Sequence, residues 1–436
     1  MKYLLDMSCT LIHHGHTRLI SYARELMTSE DELCICLTTD AEVRHAKGYI
    51  PEVPWKYRAE LLLSIRGVDS VIPGPWLLTE EYMSENNCDF LIHGHDNSNI
   101  ISPLKLKVVP RTEGISSSLI RTSSFENEVR KRNKNIFLTP GPGAIHHESL
   151  KHIGPCFGRG DPVFEDVYNK VHSWVRTMSE QDELVISQGS STFSIEMAIK
   201  SMPVKEKILI IDSGYYASRL ATLAELAGFN EVDVVKDEEK HLIEGNYNWV
   251  CGTYVETSVG VKNDIHEYRA IADKVGAKLF LDSTASIGLE SGHGVADCIA
   301  FSSCKGLLGL TGASFLAFKK DANLLEKTDS WYQSISTHRN RMMTGPYHTL
   351  QSLYGIMDNH KDMVKAIVAT KKQFMEKVDN SDNHQLVTDS NSEPLICTKI
   401  KGISKSLYPE GTIHYAPRVL QDGYSIVCHF SELYND

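Results

Sequence analysis

Histidine and glycine residues near the start of the chain are the first whose types and spacing indicate chemistry. His13-His14-Gly15-His16 lies between an apolar run at residues 3–5 and a helical pattern over residues 17–27. A helix N-terminus presents unpaired N–H groups and the positive end of the helix dipole, and it therefore binds anions. His13 and His16 would donate to the same phosphate oxygens, and Gly15 would let the backbone approach closely. Taken alone, this segment is also typical of a surface loop or a weak metal-binding sequence, and His14 is given no role.

A second segment with the same kind of chemistry follows the apolar run at residues 105–109. Residues 111–118 read RTEGISSS, so a glycine and three serines precede Leu119. This composition indicates a turn and a helix start that hold phosphate. Arg111 would add charge-assisted hydrogen bonds to an anion.

Another set of polar residues follows the strand-like runs of the later part of the chain. In order these are the hydroxyl-rich turn Gly189-Ser190-Ser191-Thr192, Tyr216, Asp282 and Lys305. Pyridoxal 5′-phosphate needs a phosphate cradle, a stacking group, a carboxylate at its pyridine nitrogen and a lysine for its Schiff base. The four features match these needs in that order, so we expect this cofactor. Taken singly, Lys305 would be a surface lysine and Asp282 a helix cap or turn residue.

The HHGH and RTEGIS segments together resemble the HxGH cytidylyltransferases, above all those for glycerol 3-phosphate and phosphoethanolamine. The likeness covers about residues 1–122 and includes Trp76 and Gly94-His95-Asp96. It implies catalytic roles for His13, His16, Lys47 and Arg111 on CTP, with Mg²⁺ bridging the phosphates. The nucleotide-binding residues that it implies are His13, Gly15, His16, Arg58, Asp96, Arg111, Gly114, Ile115 and Ser116.

One part of the first motif departs from that family. Its members have Gly-Thr-Phe-Asp before HxGH, whereas this chain has Met7-Ser8-Cys9-Thr10. The departure affects the expected phosphate or metal contacts and leaves the histidines in place.

The later part resembles the class V aminotransferases, most closely 2-aminoethylphosphonate–pyruvate transaminase. The matching stretches are 138–142, 189–192, 256–260, 282–286, the Lys305 segment and 344–348. The resemblance adds Thr257 to the cofactor-binding residues. It also adds Thr344, in a segment that reaches the cofactor of a neighbouring subunit, and it therefore implies a homodimer.

The expected substrate-binding arginine is missing from this part. The family carries it in a strand near the C-terminus, where this chain has Ser425. A serine cannot make a bidentate, charged contact. Arg418 or Arg339 would have to substitute.

Joined in one chain, the two resemblances imply consecutive steps on 2-aminoethylphosphonate. Phosphonoacetaldehyde would be aminated at Lys305 from an amino donor, and CTP would then activate the product to CDP-aminoethylphosphonate and pyrophosphate. Two alternatives stay open. One is a cytidylyltransferase for another phosphate monoester fused to a pyridoxal phosphate enzyme of different substrate or reaction. The other is a chain in which one domain acts only in binding or dimerisation.

Regular elements must bring these residues together. Strand-like runs at 3–5, 33–37, 68–72, 89–93 and 105–109 alternate with helical patterns. The same alternation continues after a polar segment at 122–135, with strand-like runs at 184–187, 208–212, 249–255, 278–282 and 298–302. This pattern predicts two α/β domains with parallel sheets. We expect a Rossmann-like nucleotidyltransferase domain at 1–130. A fold-type I aminotransferase domain is expected at 136–436, with a small lobe at about 365–436.

Length and charge are consistent with this division. At 436 residues the chain is long enough for two or three domains. With 45 basic and 56 acidic side chains its net charge is −11, which argues against a nucleic-acid binder. No signal peptide or membrane span is predicted, and the ten cysteines are expected to be reduced thiols. A cytoplasmic protein acting on small molecules is therefore expected.

Overall fold

A computed structural model gives the fold of most of the chain. It describes residues 1–132, 135–137, 141–143, 145–154, 158, 160–379, 385–386, 392–401, 413–415, 418–419 and 424–429. The predicted stretch 138–140 lies outside these residues. The chain divides into two compact units, Met1–Asn127 and Glu128–Asp436.

The first unit is built on a five-stranded parallel sheet with the strand order β3-β2-β1-β4-β5. Its strands are β1 (Lys2–Met7), β2 (Glu32–Thr38), β3 (Ser70–Gly74), β4 (Phe90–His93) and β5 (Leu106–Val108). Its helices are α1 (His14–Glu25), α2 (Asp40–Lys47), α3 (Trp55–Leu63) and α4 (Glu80–Glu85). The parallel sheet expected from the alternating pattern is confirmed.

Burial explains why the central strands read as continuous apolar runs. Leu4 and Leu5 of β1 and Ile35 of β2 are fully buried, because helices cover both faces of a parallel sheet. β1 lies between β2 and β4, so the strand order reverses at β1. β2 and β3 extend the sheet on one side of it, and β4 and β5 extend the sheet on the other. The crevice at the carboxyl ends of β1 and β4 is the place where open α/β sheets bind ligands.

The polar segment at 122–135 is helical as far as Arg132. It continues α5 (Ser117–Arg132), which begins directly after the RTEGIS segment. The division between the two compact units falls inside this helix.

The second unit contains a seven-stranded sheet flanked by helices. The strands of this unit are β6 (Asn135–Phe137), β7 (Glu183–Gln188), β8 (Lys207–Asp212), β9 (Glu231–Lys236), β10 (Trp249–Thr253), β11 (Val255–Glu256), β12 (Val261–Lys262), β13 (Lys278–Asp282), β14 (Cys298–Ser302), β15 (Ala313–Phe318), β16 (Gln385–Leu386), β17 (Cys397–Lys401), β18 (Ile413–Tyr415), β19 (Arg418–Val419) and β20 (Tyr424–Cys428). Its helices are α6 (His147–Lys151), α7 (Pro162–Ser179), α8 (Ser191–Ser201), α9 (Tyr215–Leu226), α10 (Ile265–Lys274), α11 (Ile335–Arg339), α12 (Tyr347–Ile356) and α13 (His360–Asp379), with 3₁₀ turns at Asp237–Leu242, His293–Val295 and Lys320–Ala322.

The direction of the strands determines where the polar residues collect. The sheet order is β7-β15-β14-β13-β10-β8-β9, and β15 alone in this sheet runs antiparallel to its neighbours. β7 and β14 therefore point the same way as β13, β10 and β8. Their carboxyl ends, together with the start of β15, meet at one edge of the sheet.

Each face of this sheet packs into its own apolar core. Leu209 and Ile211 of β8 face one core, and Ile208 and Ile210 face the other. The rings of Phe301 and Phe315 stack 5.2 Å apart between β14 and β15. This packing fixes the strand ends that carry the polar residues.

The last part of the chain forms a second, smaller sheet. α13 precedes a four-stranded antiparallel arrangement with the order β16-β17-β20-β19, and β18 pairs separately with β6. None of the helices in the described part of the chain combines the length and apolar composition that a bilayer crossing requires.

Candidate active sites

The first site begins with a hydrogen-bonded pair of histidines at the start of α1. The N–H of Gly15 donates to Nδ1 of His13 at 3.2 Å, and the N–H of His13 donates to Nδ1 of His16 at 3.3 Å. Because Nδ1 of each ring accepts, the hydrogen-bond network assigns the ring proton to Nε2. Both Nε2–H groups are then donors for a ligand oxygen.

Burial keeps these two imidazoles neutral. Desolvation, with the neighbouring His13, lowers the pKa of His16 to about 4. Desolvation, with the neighbouring His14, also lowers the pKa of His13. At neutral pH the two rings are therefore available as neutral hydrogen-bond donors to an anion, and full positive charge has to come from nearby basic side chains.

The structure brings most of the predicted nucleotide-binding residues around one cavity of about 350 Å³. It lies at the carboxyl ends of β1 and β4. The predicted residues that line it are His13, Gly15, His16, Lys47, Asp96, Arg111, Ile115 and Ser116. Arg111 Nη1 lies 3.2 Å from a carboxylate oxygen of Asp96, and Lys47 Nζ lies 5.0 Å from the centre of the Trp76 ring.

Gly15 joins the two motifs by close contact. A Cβ added there would lie 2.9 Å from His13 Nδ1 and 3.1 Å from Ile115 Cγ2, so a larger residue would separate the histidines from the RTEGIS turn. Gly114 adopts a left-handed conformation with φ of 75° and does not line the cavity itself. It supplies the turn that presents Ile115 and Ser116.

Arg58 is not brought to this cavity. Its side chain is 1% exposed, and it donates to the carbonyls of Ser8 (2.5 Å) and Thr38 (3.0 Å) and to Asp40 (2.6 Å). The structure thus places Arg58 under the segment that precedes the histidines. Its expected nucleotide contact stays a prediction.

Asp6 is a residue of this cavity that the sequence reasoning missed. It lies in β1, lines the cavity and accepts a hydrogen bond from Asn99 at 2.9 Å. Its side chain is 9% exposed, and His93 Nε2 is 3.7 Å away. Burial raises the pKa of this carboxyl group. A polar residue inside the apolar strand pattern of β1 was the signal that could have identified it.

Arg121 contacts Thr10, one of the positions that depart from the family's pattern. Its Nη2 donates to Thr10 Oγ1 at 2.8 Å and to Glu52 at 2.5 Å, and the guanidinium lies 4.6 Å from the centre of the Tyr49 ring. Glu52 and Tyr49 belong to the loop that follows Lys47. Arg121 therefore ties this loop to the segment before the histidines, where the resembling family has an aspartate.

The second site is a cavity of about 510 Å³ at the carboxyl edge of the seven-stranded sheet. The predicted residues that line it are Ser190, Ser191, Thr192, Tyr216, Thr257, Asp282 and Lys305, together with Gly141 and Pro142 of the stretch 138–142. Residues separated by more than a hundred positions in sequence meet here because their strands end at one edge.

The geometry of this cavity suits a pyridoxal phosphate. Asp282 is 4% exposed, and its Oδ1 accepts the Thr284 N–H at 3.0 Å, which leaves Oδ2 for another partner. Lys305 Nζ lies 5.8 Å from the centre of the Tyr216 ring. Ser190 is the N-cap and Ser191 the first residue of α8, whose N-terminus favours a phosphate. Lysine, carboxylate, aromatic ring and cradle thus fit the cofactor.

Thr344 is the predicted cofactor residue that does not line this cavity. Thr344 is exposed and lines a separate cavity of about 120 Å³, which Arg341 also lines. Its expected contact with the cofactor of a neighbouring subunit stays a prediction. Arg219, which the sequence reasoning missed, does line the cofactor cavity.

The substitutes considered for the missing substrate arginine differ in position. Ser425 is 3% exposed and lies within β20, where it pairs with Ile400 of β17. Arg339 pairs with Glu183 and Glu326, both at 2.9 Å, and does not line the cofactor cavity. Arg418 belongs to β19, and its side chain lies outside the described parts of the structure.

Comparison with known families assigns both units. Residues 10–123 match the family described as cytidylyltransferase-like, and residues 156–351 match the family described as aminotransferase class-V. The chain joins a cytidylyltransferase-like domain to a class V aminotransferase domain. These are domains of two transferase families, a nucleotidyltransferase and a pyridoxal phosphate-dependent aminotransferase, as the two resemblances imply.

Relatives named for each of the two activities match parts of this chain. The 2-aminoethylphosphonate–pyruvate transaminase of Vibrio vulnificus is 26% identical over 255 residues, which cover 51% of this chain and 68% of that protein. The ethanolamine-phosphate cytidylyltransferase of Dictyostelium discoideum is 33% identical over 176 residues, which cover 36% of this chain and 48% of that protein.

Solved structures confirm the fold of the second domain. An alanine–glyoxylate aminotransferase from Nostoc has a TM-score of 0.60 at 17% identity and covers 69% of this chain and 92% of that one. A phosphoserine aminotransferase from Cytophaga hutchinsonii also reaches 0.60, at 16% identity, and covers 70% and 97%. The fold-type I aminotransferase architecture is therefore confirmed.

Proposed function

We propose that the first domain transfers the cytidylyl group of CTP to 2-aminoethylphosphonate. The observation that carries this proposal is the coexistence, in one cavity, of phosphate-binding groups and the buried carboxylate of Asp6. An acceptor with an anionic phosphonate or phosphate at one end and an ammonium at the other would match both charges, and 2-aminoethylphosphonate is the one that the second domain would also produce. An acceptor that ends in hydroxyl groups would leave Asp6 buried without a cation.

The chain's residues would act mainly by positioning and charge neutralisation. A phosphonate oxygen forms the new bond to the α-phosphorus of CTP, and the bond from that phosphorus to the pyrophosphate oxygen breaks. Nε2–H of His13 and His16 would donate to the oxygens of the reacting phosphate, while Lys47 and Arg111 would neutralise its charge. Asp96 is the carboxylate beside Arg111 that would hold Mg²⁺ on the phosphates.

Pyrophosphate release tests this assignment. The enzyme would be offered CTP and Mg²⁺ with 2-aminoethylphosphonate, ethanolamine phosphate or glycerol 3-phosphate in turn. The highest kcat/KM is expected with 2-aminoethylphosphonate. Turnover with this compound that does not exceed the turnover with the other two would contradict the substrate assignment.

For the second domain we propose transamination between phosphonoacetaldehyde and 2-aminoethylphosphonate, in which an amino acid donates the amino group and leaves as its oxo acid. When bound, pyridoxal phosphate supplies the carbonyl group and the electron sink for this exchange. Ser190, Ser191 and Thr192 would bind the cofactor phosphate, Tyr216 would stack on its ring, and Asp282 Oδ2 would accept a hydrogen bond from the pyridine nitrogen. Lys305 Nζ would hold the cofactor and move the proton at the carbon that bears nitrogen.

Borohydride trapping tests the role of Lys305. Reduction of the loaded enzyme should leave the cofactor on the peptide that contains Lys305, identified by mass spectrometry. A Lys305→Ala variant should not transaminate. Transamination that persists in this variant would refute the assignment.

A second candidate for this domain is an amino-group transfer with a different substrate. It is favoured by the burial of Ser425 within β20 and by the two ion pairs that hold Arg339 away from the cofactor cavity. A screen of amino donors and oxo acids, monitored through the cofactor absorbance, would distinguish the two.

Ethanolamine phosphate is the corresponding alternative acceptor for the first domain, since it differs from 2-aminoethylphosphonate by one bridging oxygen.

Domain limits and assembly belong to the same proposal. We place the cytidylyltransferase domain at 1–130 and the aminotransferase domain at 136–436, with a small lobe at about 365–436.

A homodimer is supported by the position of Thr344 away from its own chain's cofactor cavity. Sedimentation analysis would show a species of twice the chain mass. A monomer that binds the cofactor at full strength would contradict the dimer.

A further inference from the structure

Arg219 is a basic residue of the cofactor cavity to which no role has been given. It lies on α9, three residues after Tyr216, so both side chains project from the same face of the helix. Its side chain is 26% exposed. Among the described residues that line this cavity, Arg219 and Lys305 are the two that carry a positive charge.

Its guanidinium contacts three of the four features expected to bind the cofactor. Nη1 donates to Thr192 Oγ1 at 3.2 Å, and Nη2 lies 3.8 Å from Asp282 Oδ2. The guanidinium carbon lies 5.3 Å from the centre of the Tyr216 ring. Nε is buried and has no hydrogen-bond partner among the described residues. A buried donor without a partner is costly, so this arrangement must be held by its surroundings.

Those surroundings fix the start of α9. The N–H of Ala217 donates to Glu256 Oε2 at 2.9 Å, and the N–H of Tyr215 donates to Ser258 Oγ at 3.0 Å. Glu256 is fully buried, so this contact is shielded from solvent. The first turn of α9, and with it the base of the Arg219 side chain, is therefore anchored to the segment that carries Thr257.

One carboxylate oxygen of Asp282 already accepts hydrogen bonds, and the other is available to accept one from the cofactor. Oδ1 accepts hydrogen bonds from both the N–H and the hydroxyl of Thr284, whereas Oδ2 faces Arg219 at a distance too long for a hydrogen bond. An ion pair at this separation orients the carboxylate without occupying its lone pairs. Oδ2 then stays available to a ring nitrogen.

We propose that Arg219 is a positioning residue of the cofactor site, tying the phosphate cradle at Thr192 to the carboxylate of Asp282. The proposal rests on the binding of pyridoxal phosphate at Lys305. Without Arg219, no cation would orient the Asp282 carboxylate. Its negative charge would also no longer be offset by a neighbouring positive charge. Cofactor binding would weaken, and the lysine nitrogen bonded to the cofactor would hold its proton more tightly.

The charges around the lysine nitrogen determine whether the pH of its protonation rises or falls when Arg219 is removed. Asp282 favours its protonated state, whereas Arg219 opposes it. Tyr216 and Cys304 are the other titratable groups that line the cavity, and Glu256 lies behind the start of α9. Removal of Arg219 should therefore raise the pH at which the lysine-bound cofactor changes its absorbance, by about one unit.

The test compares Arg219→Gln and Arg219→Lys with the wild-type full-length protein. The control is Arg176→Gln, which removes an exposed arginine in the last turn of α7. Two quantities are measured in each protein: the absorbance of the bound cofactor against pH, and the dissociation constants of pyridoxal phosphate and of pyridoxal. Pyridoxal lacks the phosphate, so it separates an effect at Asp282 from a direct phosphate contact. The melting temperatures of the cofactor-free proteins show whether each variant folds.

The expected result is an upward shift of the absorbance midpoint in Arg219→Gln that Arg219→Lys largely restores. Both ligands should bind about ten-fold more weakly to Arg219→Gln. An unchanged midpoint, or a loss confined to pyridoxal phosphate, would overturn the proposal. If Arg219→Gln does not fold, Arg219→Lys provides the test. An absorbance midpoint in Arg219→Lys about one pH unit above that of the wild-type protein would then also overturn the proposal. A wild-type protein that takes up no pyridoxal phosphate would instead contradict the proposed function.

Discussion

The two histidines of the first domain line its cavity with neutral rings whose Nε2–H groups are available as hydrogen-bond donors. Their Nδ1 atoms accept backbone N–H groups, and desolvation lowers the pKa of each ring. Full positive charge in the cavity comes from Lys47 and Arg111. The histidines thus offer hydrogen bonds, and the lysine and the arginine offer charge.

Burial of neutral His16 makes the stability of the first domain depend on pH. The pKa of His16 falls from 6.5 to about 4 on folding, so below pH 6.5 the unfolded chain binds a proton that the folded chain does not. Stability should therefore fall as the pH decreases from 6.5 towards 4, by about 2 kcal/mol at pH 5. Urea unfolding near pH 7.5 and near pH 5 would measure this change in the wild-type protein and in His16→Asn. The loss on acidification should be smaller in His16→Asn, and an equal loss would contradict the argument.

Asp6 should determine the preference for an acceptor with an ammonium group. Asp6→Asn keeps the side-chain size but removes the negative charge, so the KM for 2-aminoethylphosphonate should rise at least about ten-fold. The KM for glycerol 3-phosphate should change little, because that acceptor has no cation. Glu81→Gln, at an exposed position on α4, is the matched control. An equal rise in KM for both acceptors would show that Asp6 maintains the structure of the cavity and does not interact with the ammonium group of the acceptor.

At the scale of elements, both sites depend on tight turns that follow strand ends. The turn after β14 carries Lys305 and then Gly306. A Cβ added at Gly306 would lie 2.0 Å from the carbonyl oxygen of Ile287 and 2.8 Å from Leu289 Cγ. The backbone contact leaves no room for a side chain, so the position of Lys305 depends on this glycine.

Gly306→Ala should displace this turn. We expect the free energy of unfolding to fall by about 3 kcal/mol and the bound cofactor per chain to decrease, since Lys305 would move. Denaturant unfolding and the absorbance of the purified protein measure the two effects. Gly158→Ala is the control, because a Cβ there has open space around it. Full cofactor content in Gly306→Ala would contradict this account.

Sequence patterns predicted the elements whose burial is uniform. The runs at 278–282 and 298–302 coincide with β13 and β14, because these strands are buried on both faces. β9 and β15 were not predicted. β9 reads EVDVVK at the edge of the sheet, where polar and apolar residues alternate, and β15 runs antiparallel within an otherwise parallel pattern.

The same contrast applies to the sites. Lys305, Asp282 and the hydroxyl turn could be proposed from sequence, because each lies at the end of a strand or shortly after it, in a matching segment. Asp6 and Arg219 were not proposed. Asp6 is a single polar residue in an apolar strand, a signal that does not by itself say which ligand it serves, and Arg219 lies inside a helix. Their proximity to the other site residues comes from strand order and helix orientation. Arg58, by contrast, fits a resemblance but lies in the interior.

At the scale of the whole molecule, each compact unit has its own sheet, core and cavity. No residue lines both cavities in the described part of the chain. The two chemistries should therefore be separable by single substitutions.

Lys305→Ala should abolish transamination while leaving cytidylyl transfer from supplied 2-aminoethylphosphonate near the wild-type rate. His13→Ala should lower cytidylyl transfer at least about a hundred-fold, because an oxyanion donor is lost, and it should leave transamination unchanged. Separate assays of pyrophosphate and of oxo acid measure the two activities in each variant. Loss of both activities in either variant, with the fold intact, would show that the domains depend on each other.

Formation of a nucleotide product from the aldehyde tests the central claim most directly. The loaded protein would receive phosphonoacetaldehyde, an amino donor, CTP and Mg²⁺, and the products would be identified by mass spectrometry. We predict CDP-aminoethylphosphonate from the wild-type protein and none from Lys305→Ala or His13→Ala alone. A mixture of these two variants should restore the product. Absence of this product from the wild-type protein, or its formation without Lys305, would contradict the proposed pair of reactions.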